Sequence, residues 1–327
     1  VDPCEQNVQQ TYTAEEQAMT KVQCAKEGLD TATWATSNNQ ILAFSVGNPT
    51  LIPENGTNET FGVVWQPTSI EVLENINFKM AVDSFTLEIE NAVVGSGSQN
   101  ALNQCYKNGR EDFCALVSRS YGGDVNSVEY GYINSESMDR FRGVDYSVNM
   151  TFEDLSLIGG SLEVDVIGTH FKENVTVDAS GVSDDYVGAC YDFGESCFNR
   201  DRITLSLRYY KNDWRIGLTT RFLSGIDTSE TVKEYFAEPP YGSALPDGWQ
   251  QEVFDIYSVP DYHISNLNIG YSFTEHYNMN LTISNLFDRD PPYYKDFFGF
   301  VDPQINTPQN TYDVVGRYFQ VGFKLTY

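Results

Sequence analysis

Nothing in this sequence is long and apolar enough to cross a membrane as a helix, since no apolar run approaches the roughly 18 residues that such a span needs. If the chain meets a bilayer, it does so as a closed sheet, because only a sheet without free edges satisfies every backbone group in hydrocarbon. Basic residues are scarce, 20 against 46 acidic ones, for a formal net charge of −26. A surface so poor in cations cannot neutralise a phosphate backbone, which excludes nucleic acid as a partner. The acidic excess itself reads either as a solvated surface or as a field that draws cations. Histidine is rarer still: His170, His263 and His276 lie away from the cysteines, and no C-x-x-C occurs, so the cysteines do not suggest zinc. Serines and carboxylates abound, but none pairs with a histidine at a telling spacing, so neither enzymatic activity nor a cofactor is expected. The chain starts at Val1 with neither methionine nor signal peptide, and a processed, trimmed or partial polypeptide is expected.

What is abundant is aromatic: 21 Tyr and 20 Phe within a chain only 41% hydrophobic. That balance favours strands with one wet and one dry face over a thick apolar core. The 327 residues hold one large β domain or two ordinary ones. The carboxy-terminal stretch is the most regular. Phe319, Val321, Phe323, Leu325 and Tyr327 alternate with Gln320, Gly322, Lys324 and Thr326, a strand with one apolar face. Taken alone, this stretch fits a sandwich strand or a transmembrane barrel strand that ends in an aromatic girdle.

Eight earlier stretches repeat the alternation. Phe61, Val63 and Trp65 form the first, stopped by Pro67. The second runs from Asn77 to Val93 with Phe78, Met80 and Val82 on one face, and its blurring after Asp83 predicts a bulge or a rise above the membrane. The third sets Val144, Tyr146, Val148, Met150 and Phe152 against Asp145, Ser147, Asn149 and Thr151; the fourth carries Leu162, Val164 and Val166. Ile203 to Tyr209, Trp214 to Phe222, Leu267 to Phe273 and Met279 to Ile283 complete the set. Residues 1–58 lack a sustained period and read as an irregular, exposed extracellular segment, with a short helix from Thr13 to Lys26; residues 59–327 carry the strands.

Connection lengths separate barrel from sandwich. They alternate short and long throughout, and every cysteine falls in a long connection or the leading segment. Outer-membrane barrels sort their connections this way, with short periplasmic turns and long extracellular loops. Arg208, Arg215, Arg221, Asp145 and Glu163 fall on the polar faces, where they are costly in a dry interior and ordinary in a watery lumen. The expected fold is therefore all-β, an antiparallel transmembrane β-barrel. Nine strands is an odd number, whereas closed single-chain bacterial barrels use an even one, so the chain is expected to be the C-terminal part of a larger barrel. The cysteines form three close pairs, Cys4 with Cys24, Cys105 with Cys114 and Cys190 with Cys197, which read as loop-stapling disulfides of an oxidising compartment.

Four local motifs then add a resemblance: Asn48-Pro-Thr-Leu-Ile-Pro-Glu54 before the first strand; Ile133-Asn134 followed by Arg142-Gly-Val-Asp145; Asn285-Leu-Phe-Asp288 with Pro291-Pro292; and Gly316-Arg317-Tyr318-Phe319. In this order, from about residue 45 onward, the chain resembles the C-terminal half of TonB-dependent outer-membrane receptors, in a subgroup with stapled extracellular loops. The resemblance implies a barrel of about 22 strands with a plugged lumen, placed in the Gram-negative outer membrane among bilayer lipid and lipopolysaccharide. It implies active uptake, with ligand caught outside and the TonB complex pulling on a plug. The plug and the first dozen or so strands are absent from this sequence, so a complementary chain carrying them is the expected partner.

Arg221, Asp145 and Asn266, on the polar faces, are the candidate ligand-binding residues. The acidic loop Ser183 to Asp201, with Asp184, Asp185, Asp192 and Glu195, reads as a solvated loop or as oxygen ligands for calcium. Five N-x-[ST] matches include Asn149 and Asn280 inside predicted strands, where a glycan has no room. No histidine lies near Asn48 to Glu54, which argues against haem, and acidic loops argue against anionic iron chelates. A neutral sugar or peptide held by loop tyrosines and asparagines is the expected ligand. The alternatives are a passive porin or adhesive barrel, and a secreted β-sandwich adhesin.

Overall fold

Nine long strands form where period two predicts them: β1 (Asn55–Trp65), β2 (Ile76–Glu90), β3 (Asp139–Phe152), β4 (Ser161–Val177), β5 (Asp201–Lys211), β6 (Trp214–Leu223), β7 (Tyr262–Ser272), β8 (Tyr277–Ser284) and β9 (Tyr318–Leu325). The structure, a computed structural model, describes residues 1–6, 8, 12–37, 40–67, 76–135, 138–155, 158–177, 181, 183–190, 197–227, 258–294, 307–308 and 310–326. The terminal ring of Tyr327 lies outside the described residues. In one sheet the strands follow sequence order from β1 to β9 without a crossover, and the short strand Ser183–Asp185 pairs with β4.

Register carries each strand's alternation across the sheet. Phe319, Ile283, Leu267, Leu218, Leu207, Val164 and Met150 stand opposite one another in a single row over seven strands. Val321, Leu281, Ile269, Ile216, Tyr209, Leu162 and Phe152 form the next apolar row. Between them, on the opposite face, run Gln320, Thr282, Asn268, Gly217, Arg208, Glu163 and Thr151. A one-residue slip would exchange the faces, so the two apolar rows pin the register. The apolar side is not a core: Phe323 is 78% exposed and Phe319 64%. An exposed apolar surface of this extent marks a contact with lipid or protein.

The turn between β5 and β6 is the two residues Asn212 and Asp213, and Asn212 takes a left-handed φ of 50°, as a tight hairpin turn requires. The predicted disturbance after Asp83 does not end β2, which continues to Glu90. Register shifts between Arg142 and Gly143, where β3 meets β4. Both β3 and β4 run well past their alternating stretches, because the backbone ladder continues where neither face must be apolar. The outer edges of β1 and β9 have no partner strand among the described residues, and every residue of both strands is exposed.

The chain divides into two compact units. One comprises Val1–Thr57, Glu88–Asp139 and Thr176–Asp184; the other comprises Asn58–Leu87, Arg140–Val175 and Asp185–Tyr327 and holds most of the sheet. The short helix expected from Thr13 to Lys26 forms in the first unit, and residues 1–58 also hold a short strand, Leu42–Ser45, that their missing periodicity did not announce. Helix α1 (Ala14–Lys26) opens with a capping box in which Thr13 and Glu16 each accept from the other's backbone N–H. Helix α2 (Ser98–Tyr106) and the short helix α3 (Glu111–Cys114) follow later in the chain. Leu29, Leu102, Tyr106, Phe113, Val125 and Val128 bury together with the disulfides Cys4–Cys24 and Cys105–Cys114. Strand Leu42–Ser45 lies parallel to Val125–Tyr130, a pairing of segments distant in sequence that no local pattern announces.

Candidate functional site

The family-like motifs of the first unit prove to be clamps. Asn134 donates from Nδ2 to the carbonyls of Ile52 at 2.8 Å and Asn91 at 2.7 Å, while its Oδ1 accepts from Ile52 N at 2.9 Å. Asn48 Nδ2 donates to Tyr132 O at 3.0 Å, and Glu54 accepts from Val93 N at 2.7 Å. In the second unit, Asn285 and Asp288 take left-handed φ of 50° and 53°. Asn285 exchanges hydrogen bonds with the Arg289 backbone, and Asp288 accepts from Arg317 N at 2.8 Å. These residues hold chain segments in place rather than a ligand.

The polar face of the sheet concentrates charge. Arg208 on β5 pairs with Glu163 at 2.8 Å and with Asp165, both on β4, and Asn149 on β3 donates to Asp165. Toward the long connections, the ends of β4, β5 and β6 enclose a cleft of about 670 Å³ lined by Thr169, Phe198, Asn199, Arg202, Thr204 and Arg221, among others. Register explains why these side chains meet: Arg221 stands opposite Thr204, and Arg202 opposite Thr169. Arg221 makes no hydrogen bond or ion pair among the described residues, whereas the Arg202 guanidinium stacks 4.6 Å over Phe198 and 5.5 Å over Phe171.

Behind Arg202 the rings of Phe85, Phe141, Phe171 and Phe198 pack edge to face or tilted, with centroids 4.7–6.5 Å apart. Gly143 makes this possible, since a Cβ there would sit 2.6 Å from the Phe85 ring and 2.8 Å from the His170 carbonyl. Above the strand ends, Leu223, Ile226, Val259, Tyr262, Ile264 and Tyr312 bury around the Cys190–Cys197 disulfide. Buried Asn199 donates to Ser224 O at 2.7 Å and to Tyr312 Oη at 3.1 Å, and its own Oδ1 has no partner among the described residues. Burial pushes the Tyr312 phenol above its usual pKa, so it stays a neutral acceptor for Asn199.

Of the three candidate ligand residues, Arg221 lines the cleft. Asp145 lies at its margin, accepting at 2.5 Å from the hydroxyl of Thr169, which lines the cleft. Asn266 stands elsewhere on the face, opposite Thr219, with its Oδ1 taken by Asn285 N at 2.9 Å. Sequence reasoning missed Arg202, which sits one step before the Ile203 alternation and so shares the polar parity. It also missed Asn199 and Phe198, hidden in the cysteine loop. Among the described residues no group of three or more metal-ligating side chains gathers. Asp185 is engaged by the N–H groups of Asn174 and Val187, each at 3.0 Å, and Asp192 and Glu195 lie outside the described residues.

A transmembrane antiparallel meander with one apolar and one charged face, three stapled loops and a cleft at the loop end defines an outer-membrane receptor barrel. The TonB-dependent receptor-like β-barrel family model matches residues 9–286, and the chain belongs to that family. Its members are transport receptors rather than enzymes, and the family implies an outer-membrane location. Among solved structures, the siderophore receptor PirA from Acinetobacter baumannii is similar at 16% identity and a TM-score of 0.50, covering 86% of this chain and 33% of that one. A mutant of the ferric enterobactin receptor PfeA from Pseudomonas aeruginosa, in complex with enterobactin, is similar at 14% identity and a TM-score of 0.52, with 86% and 33% covered. The chain thus spans about a third of the length of these receptors. Among curated proteins none matches.

Proposed function

We propose that this chain supplies the C-terminal strands of a receptor that imports a ligand across the outer membrane with TonB-derived energy. The remaining strands and the plug belong to a complementary polypeptide segment, and the long connections face outward. The free edges of β1 and β9 support this reading, because each carries backbone groups that must find a partner strand before the sheet can stand in hydrocarbon. The odd strand count and the fraction of the related receptors that the chain covers point the same way.

The ligand docks in the cleft between Arg202 and Arg221. The preference for a neutral sugar or peptide rested on acidic loops, but the cleft presents two guanidinium groups and an aromatic wall. That chemistry suits an oxygen-rich anionic ligand with an aromatic or planar part. Arg221, carrying no partner of its own among the described residues, is the observation on which the reading rests.

The test is ligand binding by the full-length receptor and its Arg221→Ala variant, measured calorimetrically against a panel of ferric catecholates, ferric hydroxamates and neutral oligosaccharides. A ferric catecholate should bind, and the variant should lose about ten-fold or more in affinity for it. Binding of an oligosaccharide alone, or equal binding by both proteins, overturns the assignment.

A further inference from the structure

We propose that Asn108 and Gly109 form a self-modifying site, at which the Gly109 backbone nitrogen attacks the Asn108 side-chain amide and converts the residue to isoaspartate. The inference rests on the packing of the first unit, and on neither the imported ligand nor the orientation of the receptor.

The two residues make the turn between α2 and α3. Asn108 is exposed, so water reaches its amide. Gly109 takes a left-handed φ of 70° and carries no side chain to shield its nitrogen. The neighbouring N–H groups are engaged: Lys107 N and Asn108 N donate to Asn103 O at 2.8 and 3.3 Å, and Arg110 N donates to Gln104 O at 2.9 Å. The Gly109 N–H has no acceptor among the described residues. It is therefore open to act as the nucleophile. The Asn108 side chain is tethered by the bond from Nδ2 to Gln104 Oε1 at 3.0 Å.

The step balances with water as its co-reactant. Gly109 N bonds to Asn108 Cγ, the N–H proton passes to the departing amide nitrogen, and ammonia leaves a cyclic imide. Water then opens the ring at either carbonyl. One opening gives aspartate; the other gives isoaspartate, in which the main chain runs through the β carbon. The other Asn-Gly pair in the sequence, Asn55-Gly56, lies in the extended strand β1, where the backbone turns the following nitrogen away from the asparagine side chain.

The two products differ in what they do to the fold. Gly109 abuts α1, since a Cβ on it would sit 2.7 Å from Met19 Sδ and 3.3 Å from Gln23 Nε2. The Cys105–Cys114 disulfide closes the same turn. Isoaspartate lengthens the main chain where α1 leaves no room for another carbon, so the turn has to leave Met19. Aspartate keeps the chain length and replaces only a donor to Gln104, whose amide can turn its own donor toward the new carboxylate.

The full-length receptor, held at mildly alkaline pH in water enriched in heavy oxygen and sampled over days, tests the site. Peptide mass spectrometry with electron-transfer fragmentation separates isoaspartate from aspartate. Asn108 should convert about ten-fold faster than Asn55, a ratio that needs only a small difference in barrier, and isoaspartate carrying heavy oxygen should be among the products. Aspartate without isoaspartate indicates direct hydrolysis and overturns the imide route. Equal conversion at Asn55, or none at Asn108, overturns the assignment to this turn. Hydrogen exchange then compares the converted protein with the Asn108→Asp variant. Amides of α1 around Met19 should exchange faster in the isoaspartate form alone, and equal protection overturns the loosening of the turn.

Discussion

Arg119 and Asp2, 117 residues apart, meet as a buried two-pronged ion pair, with Nη2 donating to Oδ1 at 2.8 Å and Nη1 to Oδ2 at 2.5 Å. The two side chains are 7% and 4% exposed. The same guanidinium reaches Glu27 at 2.7 Å, Tyr106 Oη at 2.8 Å and Gly123 O at 2.7 Å. It also lies over the rings of Tyr106 and Trp34. Burial alone would lower the pKa of Arg119, but its bonds to Asp2 and the nearby Tyr106 hold it above the usual value, while burial pushes the Tyr106 phenol up. A buried cation is tolerated only when its donors are satisfied, and here the amino-terminal segment satisfies them. Removing one partner leaves the other charged and desolvated. Asp2→Ala is expected to destabilise the first unit by about 3–5 kcal/mol, seen as early loss of amide protection in α1 during hydrogen exchange of the full-length receptor. Unchanged protection would show that the pair does not hold the segment.

Gly143 admits the Phe85 ring, and its substitution tests whether the aromatic cluster behind Arg202 is tightly packed. Gly143→Ala forces a methyl against both that ring and the His170 carbonyl, which should cost about 1–3 kcal/mol and lower the thermal midpoint of the folded barrel. Gly217→Ala is the control, because a Cβ there makes only ordinary contact at 3.9 Å. Equal midpoints for the two variants would contradict the packing.

The capping box of α1 predicts a pH dependence. The Glu16 carboxyl titrates below its ordinary 4.5, chiefly because it accepts from the Thr13 backbone N–H, with Lys107 adding to the effect and burial opposing it. A depressed folded pKa means that the contribution is complete above the unfolded value and is lost as pH falls through the folded one. Amide exchange in the first turn of α1 should therefore accelerate, relative to its intrinsic rate, as pH drops below about 4.5. Glu16→Gln should flatten that response, and a wild-type profile without an acid limb would refute it.

Alternation is local, so strand positions and the two faces could be read from residues such as Phe319, Val321 and Phe323, and the three disulfides from the proximity of their cysteines. The charge on the wet face was equally plain, because a polar residue between two apolar ones has only one side left to occupy. What lies between strands was not legible. Phe198, Arg202 and Arg221 become neighbours only through the β4-β5-β6 register, and Asp2 reaches Arg119 only through the folding of helices and a parallel strand pair whose sequences lack a strong period. Sequence determined which side of each strand faces lipid or water, since that depends on the residues two places away; tertiary structure decided which charges meet, since register and loop closure join positions that no short-range pattern connects.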